Sequence, residues 1–102
     1  MEYETSNGAH MEIEEIRCVV RGKVQGVFYR DFVAKHARHL ALTGYVRNAP
    51  NFTVEVVAQG YRDSLEKFLT HIRKGPFLAR VSDVDVEWRE PTEQYESFNV
   101  VF

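Results

Sequence analysis

Apolar and polar positions fall into short periodic runs along this chain. Near the start, Ile16, Cys18 and Val20 are interleaved with Arg17, Val19 and Arg21, a period of two that predicts a strand with one face inward. That strand is expected to end at Arg21 or Gly22. Tyr29, Val33, Ala37 and Leu40 then recur at helical spacing, with Phe32 and His36 close to the same stripe, so the first helix is expected over roughly 29–40. The runs "TGYVRN" and "TVEVVAQ" read as two strands of a hairpin joined by "APNF", whose proline and asparagine suit a turn. In "RDSLEKFLTHIRKGP", Leu65, Phe68, Leu69 and Ile72 share one helical face, Asp63 is a candidate N-cap and "KGP" is a stop signal. Val84, Val86 and Trp88, and then Phe98, Val100 and Phe102, alternate as two last strands separated by "EPTEQYES".

The order strand, helix, strand, strand, helix, strand, with one added strand, is the split βαβ arrangement of ferredoxin-like α+β domains. An antiparallel sheet of four to five strands should carry two helices on one face. The first eleven residues, "MEYETSNGAHM", lack apolar periodicity and are expected to be a flexible tail or added residues, with the domain spanning 12–102.

At 102 residues, 44% hydrophobic and 27% charged, the chain suits one soluble domain with one core. Thirteen basic and fifteen acidic side chains give a net charge of -2, so no global positive field draws it to nucleic acid or an anionic membrane. The single Cys18 excludes an intrachain disulfide and fits a reducing compartment, and no apolar run approaches a membrane span or a signal peptide. A cytoplasmic protein is expected.

The candidate chemistry lies in "RGKVQGVFYRDF", residues 21–32. No lysine and hydroxyl follow Gly26, as a Walker-type loop needs, and no third glycine stands where a dinucleotide fingerprint places it. What remains is a glycine loop whose N–H groups, with those opening the helix, can face one anion. Arg30 lies where a cation opposes the helix dipole, a position a bound phosphate would favour; the plainer alternative is a solvated arginine with Asp31 relieving the dipole.

"GKVQGVFYR" resembles the acylphosphatase signature G-x-V-Q-G-V-x-[FY]-R at every specified position, and "GYVRN" resembles that family's second signature. The resemblance covers the chain from about Glu12 to Phe102. It implies hydrolysis of acyl phosphates, with Arg30 and the N–H groups of Gln25, Gly26, Val27, Phe28 and Tyr29 binding the phosphoryl group and Asn48 holding the attacking water. It implies no metal and no cofactor and a small-molecule substrate; a monomer is expected. The family usually carries Asp-Gly in the hairpin turn where this chain has Asn51 and Phe52, so a changed turn and an unchanged site are expected.

Rival readings are weaker. His36 and His39, three apart on a helix, could share a metal but lack a third ligand. RNA-recognition modules share the element order, yet they display aromatics on the third strand and "TVEVVAQ" has none; Tyr45, Phe52, Tyr61 and Trp88 suit packing. Arg47 either adds positive potential beside Asn48 or is simply exposed. A non-catalytic anion-binding module, or a carbamoyl-phosphate-handling accessory domain, is the alternative function; a chain ending at Phe102 without a partner domain suits a free-standing enzyme.

Overall fold

The computed structural model describes residues 12–102; the expectation for residues 1–11 falls outside them. Seven elements follow in the order β1 (Glu14–Lys23), α1 (Tyr29–His39), β2 (Thr43–Ala49), β3 (Thr53–Gly60), α2 (Arg62–Lys74), β4 (Arg80–Arg89) and β5 (Phe98–Val101). The five strands form one sheet in the order β4-β1-β3-β2-β5.

Strand alternation and helical periodicity meet in a single core. Ile16, Cys18 and Val20 of β1, Val46 of β2, and Val54, Val56 and Ala58 of β3 point to the side covered by the helices. Against them lie Tyr29, Val33, Ala34 and Ala37 of α1 and Leu65, Phe68, Leu69 and Ile72 of α2, all buried. Burial pushes the Cys18 thiol up to about 12, so it packs as a small apolar group.

Four strands pair antiparallel, but β5 runs parallel to β2, with Gly44 opposite Phe98 and Arg47 opposite Val101. The sheet is therefore mixed, where a wholly antiparallel one was expected. Alternation carries no direction, so Phe98, Val100 and Phe102 read the same either way. Arg38 of α1 fixes the arrangement by donating from Nε and Nη2 to Phe98 O at 3.1 and 2.9 Å. Phe102 lies beyond the paired residues and is 97% exposed, contrary to its expected place on the inner face.

Other local expectations change too. Helix α2 starts at Arg62 with Tyr61 in the N-cap position, which puts Asp63 inside the first turn rather than at the cap; there its charge still complements the dipole. Asn51 and Phe52 have φ of 62° and 61°. Thr53 N donates to Pro50 O at 3.4 Å, so Asn51 and Phe52 are the two central residues of the turn, and both take a left-handed backbone although phenylalanine is a poor residue for it. Gly22 falls within β1 at its irregular pairing with β4; a Cβ there would lie 2.0 Å from Arg80 O. Its role is close strand approach, and only Gly26 stands in the loop.

The sheet face away from the helices is polar. Glu55 accepts from Arg17 Nε at 2.7 Å and from Arg47 Nε at 2.5 Å. Burial pushes the Glu55 carboxyl up, but those two guanidinium groups outweigh it and hold it below its usual value. Glu15 is buried and accepts from Gln59 Nε2, Thr92 N, Thr92 Oγ1 and Arg89 Nε. These partners tie β3, β4 and the β4–β5 loop to the central strand β1. No helix among the described residues is long and apolar enough to cross a membrane.

Candidate functional site

The loop from Val24 to Phe28 joins β1 to α1 and is shaped by two left-handed residues, Gly26 at φ 73° and Phe28 at φ 62°. Phe28 is the N-cap residue of α1 and has no side-chain oxygen with which to cap the first turn. The loop is anchored on three sides. Val24 and Val27 are buried. Tyr29 is buried with its hydroxyl donating to Ile72 O of α2 at 2.7 Å, and burial pushes that hydroxyl's pKa up, so it stays a neutral donor. Gln25 Nε2 donates to Ala49 O at 3.2 Å and to Thr53 O at 2.7 Å, which holds the loop against the β2–β3 hairpin.

At the start of α1 lies a cleft of about 290 Å³, walled by Gly26, Phe28, Tyr29 and Arg30 and also by Val24, Asp31 and Phe102. Arg30 Nη1 donates to Val101 O at 3.2 Å, and the guanidinium carbon stands 4.5 Å from the Phe102 ring centroid. This bond places Arg30 at the end of β5, where Val101 pairs with Arg47 of β2, the residue before Asn48. Asn48 is exposed opposite Val54, and strand alternation puts it on the side of buried Val46, the side of the helices and the loop.

Of the residues singled out in the sequence, Gly26, Phe28, Tyr29 and Arg30 thus share the cleft. Gln25 turns its side chain to the hairpin, Val27 is in the core, and Asn48 is not part of the cleft wall. Arg47 does not join them, since it pairs with Glu55 on the opposite face of the sheet. His36 stacks on His71 of α2 with ring centroids 3.8 Å apart. Among the described residues, no three His, Cys, Asp or Glu side chains gather as a metal site would need. Three contributors were not foreseen: the Gln25 tether, the Val101 carbonyl and the Phe102 ring. All depend on long-range placement of β5 and the hairpin, which no local pattern signals.

Chemically, the loop and Arg30 offer a positive, hydrogen-bond-donating corner with few titratable groups. A ferredoxin-like α+β sandwich bearing such a corner at the start of its first helix is the class of protein defined here. Residues 16–100 match the family model described as acylphosphatase, and the chain belongs to that family. It is 53% identical over 72 residues to an acylphosphatase of Thermus thermophilus, covering 71% of this chain and 82% of that protein. A second relative, an acylphosphatase of Dehalococcoides mccartyi, is 45% identical over 86 residues, 83% of this chain and 94% of that protein. The crystal structure of acylphosphatase from Bacillus subtilis superposes with a TM-score of 0.84 at 31% identity, covering 87% of this chain and 99% of that one.

Proposed function

We propose that the protein is an acylphosphatase, hydrolysing the carboxyl–phosphate bond of small acyl phosphates to a carboxylate and inorganic phosphate, as a cytoplasmic monomer. The observation that carries the mechanism is the cleft where Arg30 meets the loop at the N-terminus of α1. Family membership and the names of relatives matched over most of their length favour this enzyme over a non-catalytic anion-binding module.

In this reading Arg30 and the N–H groups of Gln25 to Tyr29 bind the phosphoryl oxygens. Asn48, at the end of β2, orients a water through its side-chain carbonyl, which accepts a hydrogen bond but does not titrate near neutrality. The water oxygen bonds to phosphorus as the bond from phosphorus to the acyl oxygen breaks. The electron pair leaves on the carboxylate and the water proton passes to the phosphate. A carboxylate has a conjugate-acid pKa near about 4, so it departs without a general acid. Positioning and charge stabilisation are then the protein's contribution, as is usual for phosphoryl transfer, and no step calls for a metal.

The test is a substrate panel. Purified protein should hydrolyse acetyl and benzoyl phosphate and leave a stable phosphate monoester intact. Failure on both acyl phosphates would overturn the reading.

A further inference from the structure

The cleft has an apolar lip that phosphate binding does not account for. Phe28 forms one side of it, 74% exposed and in a left-handed conformation (φ 62°, ψ 21°). If the position served only to present a backbone N–H to an anion, glycine would do so without strain, and a polar residue would do so without leaving a phenyl ring in water. Left-handed strain and apolar exposure coincide at Phe28 as they do at Phe52, but Phe28 stands in the wall of the cleft that also holds Arg30 and Phe52 does not. Phe102 is a second exposed ring in the same wall, held against the Arg30 guanidinium. The group that is to hold phosphate thus shares its cleft with two exposed phenyl side chains.

We propose that Phe28 and Phe102 form a slot for the acyl group, so that the enzyme selects acyl phosphates with aromatic or bulky apolar acyl groups over small ones such as acetyl. The proposal rests on the acylphosphatase reading above and deepens it. In an acyl phosphate the acyl substituent begins three bonds from phosphorus, so a phosphoryl group held at Arg30 delivers that substituent to the rings beside it. A flat aromatic group can pack edge-to-face or offset against either ring, whereas a methyl group covers little of them. A phenyl ring offers no group that donates a proton or stabilises charge on the leaving oxygen, so the effect of the pair is expected on substrate choice.

The experiment compares kcat/KM for benzoyl and acetyl phosphate in the full chain and in Phe28→Ala and Phe102→Ala. The wild type should favour benzoyl phosphate by roughly tenfold. Each variant should lose roughly threefold to tenfold more on benzoyl than on acetyl phosphate, chiefly through KM. Both side chains are exposed, so both variants should fold, and the ratio within each variant cancels any general loss of active protein. A benzoyl-to-acetyl ratio that is unchanged in both variants would overturn the slot while leaving the acylphosphatase reading intact. A wild type that cleaves neither substrate would overturn both.

Discussion

A guanidinium in the first turn of a helix and phenyl rings on left-handed backbone are each locally unfavourable, and this chain has Arg30, Phe28 and Phe52 in those roles. Arg30 was legible from its place after a glycine loop, because the conflict with the dipole calls for an anion. If its planar fork matters, Arg30→Lys should lower kcat/KM about as much as Arg30→Ala, by roughly a hundredfold; near-normal turnover of the lysine variant would leave charge alone as the requirement. Asn48→Ala should lower kcat with little change in inhibition by inorganic phosphate, since its proposed partner is water, and joint loss of both in a folded variant would remove that role. Phe52 differs from Phe28 in lying outside the cleft wall, 80% exposed at φ 61°. With no such role for its ring, Phe52→Gly should stabilise the fold by about 1 kcal/mol, raising Tm by roughly 4–8 °C. That Phe52 is left-handed was not readable from its own preference; the tight turn closed by Pro50 and Thr53 overrides that preference.

At the scale of elements, the strands and helices were legible because nearly every one has a single buried face: Ile16, Cys18 and Val20 mark β1 and Leu65, Phe68, Leu69 and Ile72 mark α2. Pairing direction and helix contacts were not, since they are set by partners far away in the chain. The stacked rings of His36 and His71, which join α1 to α2, are an example. Burial, followed by the neighbouring His71, Lys35 and His39, pushes the His36 pKa below its ordinary value of 6.5. The unfolded chain then binds the proton more readily than the folded one, so this contribution to stability is present above pH 6.5 and lost as pH falls below it. Urea midpoints should drop between pH 7.5 and pH 5, and His36→Gln should reduce that drop. An equal drop in both proteins would place the pH dependence elsewhere.

For the whole molecule, the buried Glu15 joins elements that the sequence shows only as separate runs. Burial pushes its carboxyl up, but donation from Gln59, the Thr92 amide, Arg89 and the Thr92 hydroxyl outweighs this and holds it below its usual value. Removing that acceptor strands several buried or half-buried donors at once, so Glu15→Ala should cost about 3 kcal/mol in urea unfolding, well beyond the effect of a surface carboxylate. A change within the surface range would mean that the network relaxes freely. A glutamate in an alternating strand looks like any solvent-facing residue, and its burial was invisible because the loop that covers it is 77 residues away.

The position of β1 in the sheet also has a consequence in time. The first strand of the chain lies between β3 and β4, and its ladders join Val20 to Val54 and to Val84. During synthesis β1 therefore emerges long before either neighbour exists, and its edge toward β4 stays unpaired until residues beyond 80 have left the ribosome. Few local contacts can reward partial ordering in that interval, so the domain should form late and nearly all at once, more slowly than a helical bundle of its length. The same placement between β3 and β4 that fixes where the loop to α1 begins makes the newly made chain dependent on residues beyond 80.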